Sequence, residues 1–363
     1  MFGTKSTLYK LLLEQHKMQA IVLTDIRKME LQNVPHPAIA GETDVLLKIE
    51  KVGVCGSDVH YWETGRIGDQ VVEFPFKLGH ECAATVVDIG SCVKRVKVGD
   101  QVAVDPAMVC HRCDQCLADR ENTCRNLRFL GCPDQAEGCL CEYIVMDQTS
   151  LYRLESKITL DQAVLCEPLS IGVYAVRQAQ LPPKAAIAIL GAGPIGLSVL
   201  VTAYSEGVNE IYVTDKIDAR VEAARKAQCT WAGNPDRQDV VEAINQQQSR
   251  GMDAVFECAG QQESIDQAVE LLKPGGKLML IGIPRDERIS FVIDRLRRKE
   301  ITVINVRRQR NCVQEAIEMI AAGKLDVDFM ITHKFTPEQT QKAFDMVAQY
   351  SDGVIKALIE FAS

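Results

Sequence analysis

The chain has 363 residues, a formal net charge of -8 at pH 7, 47% hydrophobic and 25% charged residues. This length exceeds what one hydrophobic core supports, so two domains of an ordinary globular protein are expected. The acidic balance argues against a nucleic-acid partner, which needs a basic face, and no run approaches the roughly 20 apolar residues that cross a bilayer.

Residues 1–17 carry Leu11-Leu12-Leu13 but also Glu14, with no small-residue cleavage site. That is a poor signal peptide, so an N-terminal extension is expected. Strand-like alternation begins at Met18-Gln19-Ala20-Ile21-Val22. Short apolar runs follow (Val45–Ile49, Ala84–Val87, Gln101–Val104), separated by turns such as Val98-Gly99-Asp100. This is the texture of an antiparallel β domain.

Fourteen cysteines fall into two kinds. Cys110, Cys113, Cys116 and Cys124 are spaced C-x2-C-x2-C-x7-C, dense enough to close a tetrahedral thiolate site. A disulfide framework fits poorly with a chain lacking an export signal, and a nucleic-acid zinc module fits poorly with the acidic balance. A structural zinc lobe near residues 106–126 is the reading that remains, with His111 as a loop residue. Cys55, His80, Glu81 and Glu167 form a second, mixed sulfur, nitrogen and oxygen set. Mixed sets usually keep one coordination position open for water or substrate. Individually these residues are weak signals, since a buried cysteine is usually inert. They gain from their setting, because Gly53–Asp58 and Leu78–Glu81 are glycine-bracketed turns after apolar strands. The other cysteines are read as packing or surface thiols. Reduced thiols at metal-ligand spacing place the protein in the cytoplasm.

From about Pro182 the pattern changes. An apolar strand, Ala185 to Leu190, meets Gly191-Ala192-Gly193-Pro194-Ile195-Gly196, and Leu197 to Glu206 reads as a helix. Ile211 to Thr214 is a strand ending at Asp215, and Ala219 to Ala227 a helix. Ala254–Glu257 and Lys277–Ile281 are further strands. Strands alternating with helices predict a doubly wound parallel sheet. Gly191 permits the tight turn, Gly193 lets the backbone approach a pyrophosphate, and Gly196 allows close helix–strand packing. Asp215 is placed to accept from the adenosine ribose hydroxyls and to repel a 2′-phosphate, which selects NAD over NADP. Arg220 would lie over the adenine or on a solvated helix face. The basic run Arg295–Lys299 reads as a solvated helix face. Near Arg307 the alternation stops, and the tail, with a helix at Val313–Ala321 and a strand at Val354–Phe361, is expected to return to the first domain.

These motifs resemble the zinc-dependent medium-chain dehydrogenases, and within them sorbitol and related polyol dehydrogenases, from Met18 to the C-terminus. The specific pieces are Val54-Cys55-Gly56-Ser57-Asp58-Val59-His60-Tyr61-Trp62, Gly65-Arg66-Ile67-Gly68-Asp69, Leu78-Gly79-His80-Glu81, Glu167-Pro168-Leu169-Ser170 and the glycine loop. The resemblance implies an α/β protein with a GroES-like, mainly β catalytic domain (18–172 and 308–363) and a Rossmann NAD-binding domain (173–307). Cys55, His80 and Glu81 would surround a catalytic zinc, with Glu167 ligating it or holding its water. Ser57 and His60 would relay a proton. Tyr61, Glu167 and Arg308 would meet substrate, and Ile195, Asp215, Arg220, Ile281, Gly282, Ile283 and Val306 would line the NAD site. A homo-oligomer, as a tetramer, is also implied. Three residue features depart from the pattern: the cysteine quartet is what animal sorbitol dehydrogenases tend to lack, Asp119 stands where the superfamily usually has glycine, and Gln309 stands where sorbitol dehydrogenases look aromatic. The expected reaction is NAD-dependent oxidation of a polyol to its ketose, with one catalytic and one structural zinc. The alternatives are a threonine or secondary-alcohol dehydrogenase on the same scaffold, and a catalytically silent nucleotide-binding protein.

Overall fold

The computed structural model describes residues 17–361. The expected extension at 1–17 lies outside these residues save for Lys17, which opens the first strand. The described chain divides into two compact units, each with its own sheet.

The first unit takes the chain up to Glu167, His333–Ser351 and the stretch from Lys356 onward. Its main sheet orders Leu151–Arg153, Gln101–Val104, Glu81–Ile89, Asp44–Gly53, Lys356–Glu360 and Ile331–Phe335, with Tyr143–Asp147 also on Asp44–Gly53. Register decides what meets at one end of this sheet. The antiparallel pairing of Asp44–Gly53 with Glu81–Ile89 sets Gly53 opposite Glu81. On its other side Gly53 faces Leu358, and the Val54 N–H donates to the Ala357 carbonyl at 2.9 Å. Residues 53–55, 80–82 and 356–358 are thereby brought to the same edge. A Cβ at Gly53 would stand 2.3 Å from Glu81 Oε2 and 2.9 Å from Val164 Cγ1, so a side chain there would displace the Glu81 carboxylate.

A nine-residue helix, Gly56–Thr64, follows Cys55, which is its N-cap. Sequence periodicity did not reveal this helix because its apolar stripe is short. The long helix Leu160–Ala179 carries Pro168 in its interior. Proline removes an N–H from the helical ladder, and the boundary between the units falls there, at Glu167/Pro168.

The second unit, Pro168–Thr332 with Asp352–Ile355, holds six parallel strands. In the order in which the unit's strands occur along the chain they lie 3-2-1-4-5-6: Trp231–Gly233, Glu210–Thr214, Ala186–Leu190, Met252–Glu257, Leu272–Leu280 and Thr302–Asn305. That is the order of a dinucleotide-binding doubly wound sheet. The central strand is buried along its whole length, as a strand covered on both faces must be. Ala186, Ala188, Leu190, Val255 and Leu278 share one core with Ile244, Ala268 and Leu271 from the covering helices.

Two expectations are revised. The tail does not leave the nucleotide unit at 308. The helix Val313–Ala321 stays with it, where Glu315 is ion-paired to Arg177 of Leu160–Ala179, and the chain re-enters the first unit at His333. The basic run is only partly a solvated face, since Lys299 Nζ donates to the carbonyls of Val269, Glu270 and Leu272 at 2.7–2.9 Å. Among the described residues no helix is long and apolar enough to cross a membrane.

Candidate active site

Cys55, His80 and Glu81 offer one ligand atom each, all within 4.8 Å of one another. Tetrahedral zinc at 2.0–2.3 Å from its ligands holds them roughly 3.3–3.8 Å apart, so this thiol, imidazole and carboxylate set fits a single dication with one position open. Glu167 lies outside that group, though buried beside it. Burial pushes its carboxyl up to about 7, helped by the charge of Glu81 and opposed by His80 and Lys356.

Two buried residues that carry no obvious motif organise these ligands. Asp58, 1% exposed, accepts from the Gly79 N–H at 3.1 Å and from the Cys55 N–H at 3.2 Å, and its Oδ1 lies 3.2 Å from His80 Nδ1. A carboxylate on Nδ1 fixes the tautomer and leaves Nε2 as the ligating nitrogen. Although burial pulls His80 down, Asp58 and Cys55 leave its pKa well above the usual histidine value. Lys356 is equally enclosed, and its Nζ donates to Glu81 Oε2 at 2.5 Å and to the Val54 carbonyl at 3.2 Å. Burial lowers its affinity for a proton, but Glu81 outweighs that and the pKa is raised. No sequence pattern pointed to Lys356, because its role depends on the pairing of a C-terminal strand with residues 53–54.

Ser57 and His60 lie three residues apart on Gly56–Thr64 and therefore share a face. Ser57 Oγ donates to Cys55 Sγ at 3.3 Å. Tyr61 is buried on the same helix and its hydroxyl donates to Gln70 Oε1 at 3.1 Å, with Cys132 Sγ at 3.8 Å. Arg308 belongs to the second unit and has φ 54.

The quartet is compact. Sulfur–sulfur separations run 3.5 Å (Cys124–Cys110), 3.6 Å (Cys113–Cys116), 3.9 Å (Cys113–Cys124) and 4.0 Å (Cys110–Cys116). A zinc–thiolate tetrahedron has edges of about 3.8 Å, given bonds near 2.3 Å, whereas a disulfide would bring two sulfurs to about 2 Å. The Asn126 side chain and nearby backbone N–H groups lower the Cys110 thiol to about 5, while desolvation pushes Cys116 up to about 12. Four thiols so close cannot all ionise without a cation, and a dication removes that conflict. Asp119 has φ 53, the left-handed conformation that explains why glycine is usual there.

In the second unit the glycine loop behaves as its pattern requires. Gly191 has φ 101, and a Cβ on Gly196 would lie 1.8 Å from the Gly191 carbonyl oxygen. A Cβ on Gly193 would meet only Arg220 Nη1, at 3.5 Å, so this glycine leaves open space before the helix Pro194–Ser205, which Ile195 begins to line. Asp215 Oδ2 accepts from the Ala192 N–H at 2.7 Å and Oδ1 from the Ile217 N–H at 2.8 Å. Each oxygen retains a second lone pair, and the residue is part-exposed. Burial raises its pKa, with Arg220 acting against that. Lys216 beside it is paired with Glu263 at 3.0 Å and Asp236 at 3.4 Å, which reduces its pull on a phosphate.

Arg220 is not a solvated helix residue. It is 7% exposed, and its Nε and Nη2 donate to the Val354 carbonyl at 3.1 and 2.9 Å. Ile281, Gly282, Ile283 and Val306 follow the carboxyl ends of neighbouring strands. Ile281 and Gly282 both donate to the Glu257 carbonyl at 2.9 Å, and Val306 to Leu280 at 2.9 Å. Glu257 is a residue that sequence reading missed. Its buried Oε1 accepts from the N–H groups of Ala259 and Gly260 and from Ser264 Oγ at 2.7–2.9 Å, ordering the loop against which Gly191 and Gly282 pack.

Family comparisons agree with both halves of this geometry. Residues 41–156 match the alcohol dehydrogenase GroES-like domain and residues 194–322 the zinc-binding dehydrogenase domain. The chain belongs to the zinc-binding alcohol dehydrogenase family. It is 36% identical to sorbitol dehydrogenase of Bacillus subtilis over 94% of this chain and 97% of that one. It is 34% identical to D-xylulose reductase A of Aspergillus oryzae, over 90% and 93%. An Escherichia coli oxidoreductase/dehydrogenase of unknown specificity superposes with a TM-score of 0.90 at 32% identity, covering 96% of this chain and 100% of that one. As a zinc-binding dehydrogenase the protein is an enzyme acting on small molecules, and the silent-protein alternative falls away.

Proposed function

We propose that the protein is a zinc-dependent, NAD-linked polyol dehydrogenase that oxidises a secondary hydroxyl of a sorbitol-, xylitol- or L-iditol-type substrate to the ketose. The observation that carries this reading is the buried Cys55–His80–Glu81 group with the Glu167 carboxyl beside it. Relatives that act on sorbitol and D-xylulose support the polyol class.

Zinc, when bound, supplies Lewis acidity toward a hydroxyl, and NAD supplies the hydride acceptor. With NAD held in the second unit, its nicotinamide would supply the acceptor for the carbinol hydride and solvent the final acceptor for the hydroxyl proton, so that polyol and NAD would balance to ketose, NADH and a proton. Cys55, His80 and Glu81 hold the cation, and Lys356 offsets part of the negative charge of that set. Glu167, whose carboxyl titrates near neutrality, takes the hydroxyl proton. Ser57 and His60 carry it onward to solvent. Tyr61 and Arg308 orient the polyol, and Asp215 holds the adenosine ribose. Cys110, Cys113, Cys116 and Cys124 hold a structural zinc. A tetrameric, cytoplasmic enzyme completes the proposal.

The test is a substrate panel of sorbitol, xylitol, L-iditol and L-threonine with NAD, run with and without a chelator. Turnover of a polyol that the chelator abolishes is expected. Turnover of threonine alone would replace the polyol reading.

A further inference from the structure

Resting on that reading, we infer that Gln70 is a positioning residue that fixes the hydrogen-bond polarity of the Tyr61 hydroxyl. Tyr61 then meets a substrate as an acceptor, which favours a chain bearing a second hydroxyl over a simple secondary alcohol.

The contact follows from how the helix Gly56–Thr64 ends. Gly65, at φ 70, is its C-cap and donates to the Tyr61 carbonyl at 2.9 Å, a left-handed turn that glycine makes without strain. The chain then folds back on the helix. The Val72 N–H donates to the Gly65 carbonyl at 2.8 Å, and the short antiparallel pair Arg66–Ile67 with Gln70–Val71 sets Gln70 opposite Ile67. Gly68, at φ 56, turns the chain between them, closed by Arg66 Nε on the Gly68 carbonyl at 3.1 Å. The hairpin thereby returns Gln70 to the helix, where its Oε1 accepts from the hydroxyl of the buried Tyr61 at 3.1 Å.

A second neighbour ties Tyr61 to the metal-ligand turn, all within the first unit. Cys132 Sγ is 3.8 Å from the same hydroxyl, and the Cys132 N–H closes a turn on the Phe129 carbonyl at 3.2 Å. The Phe129 ring lies against the His80 imidazole with centroids 5.5 Å apart, and a Cβ on Gly131 would stand 2.8 Å from the Gly79 carbonyl oxygen. Such a turn spans less than about 7 Å between its outer Cα atoms, so Tyr61 and His80 flank one turn, on the scale of a sugar alcohol's carbon chain. A phenol has one proton to give, and sulfur at 3.8 Å is a weak acceptor, so the proton goes to the Gln70 oxygen. Toward a substrate the Tyr61 oxygen is then an acceptor. A polyol presents a hydroxyl donor there and a simple secondary alcohol presents none, and a site built to bond a hydroxyl discriminates against the substrate that lacks it.

The experiment compares kcat/KM for sorbitol and xylitol with kcat/KM for 2-butanol in the zinc- and NAD-loaded full chain. It also measures the dissociation constant of each polyol from the NADH-saturated protein. Gln70→Leu, which releases the phenolic proton, should lower the polyol to 2-butanol ratio about tenfold, the scale of one lost hydrogen bond. The loss should appear as a higher KM and dissociation constant for the polyol rather than a lower kcat. Gln70→Glu, which keeps an acceptor oxygen, should hold the ratio within about threefold of wild type. Tyr61→Phe should show the same fall as Gln70→Leu, and the double variant no further fall, since both changes act through one hydroxyl. A wild-type ratio in Gln70→Leu would overturn the inference, as would a double variant whose loss is the product of the single losses. If Tyr61→Phe does not fold, Gln70→Leu against Gln70→Glu decides alone. A wild type that oxidises no polyol would remove the polyol reading and this role with it, whereas polyol turnover with an unmoved ratio removes only the role of Gln70.

Discussion

Asp58 Oδ1 lies 3.2 Å from His80 Nδ1, and the same carboxylate accepts from the backbone of both Gly79 and Cys55. One buried acid therefore orients two ligands and the turn that carries a third. Outer partners of this kind are typically worth 10–100-fold in metal affinity. Asp58→Asn should weaken zinc at the Cys55 site by about that factor while the quartet keeps its ion. Chelator competition on the folded variant measures it, and an unchanged affinity would reduce Asp58 to a packing residue.

Two neighbouring glycines should separate binding from folding. Gly193→Ala meets nothing closer than Arg220 Nη1 at 3.5 Å, so the variant should melt like wild type yet bind NAD at least about tenfold more weakly, because its methyl fills the cradle. Gly196→Ala collides with the Gly191 carbonyl at 1.8 Å and should unfold the nucleotide unit or lower its melting temperature by many degrees. Melting curves with parallel NAD titrations distinguish the two. Weak binding and wild-type melting in both variants would contradict this account of the loop.

Asp215 keeps lone pairs available after bonding Ala192 and Ile217. Asp215→Ala should weaken NAD use by about tenfold, the scale of one charged hydrogen bond, and relax the exclusion of NADP. Steady-state kinetics with the two cofactors check this. Unchanged selectivity would refute the ribose assignment.

Burial holds the Glu167 carboxyl near 7, well above an ordinary glutamate. The ionised form is the base, so kcat/KM for polyol oxidation should rise with pH through that pKa. A cation beside it stabilises the carboxylate, which places the acid limb at about 7 or below. Glu167→Gln should lower kcat and flatten that limb. A pH profile with the limb intact would move the base role to another group.

How much was legible in advance follows from how local each signal is. The quartet, the glycine loop and Asp215 are short-range patterns, and the structure brings the members of each together. Cys55, His80 and Glu81 were separable from ordinary buried residues only through their glycine-bracketed setting. Asp58 and Lys356 gave no signal, since one acts through side-chain direction on a short helix and the other through the register of a strand some three hundred residues away. That Arg220 is buried rather than solvated was not legible, because its partner, Val354, comes from the far C-terminal segment. The re-entry at His333 was missed for a similar reason: Val313–Ala321 has a helical pattern, and nothing in a helix names the sheet it will cover.

The most direct test of the metal assignment is zinc content and polyol-dependent NADH formation, measured together in wild type, Cys55→Ser and Cys113→Ser. The account predicts that Cys55→Ser loses one zinc per chain and all polyol oxidation at near wild-type melting temperature. Cys113→Ser should lose the other zinc, with a larger fall in melting temperature than in chemistry. Polyol oxidation at the wild-type rate in a Cys55→Ser protein lacking that zinc would contradict it.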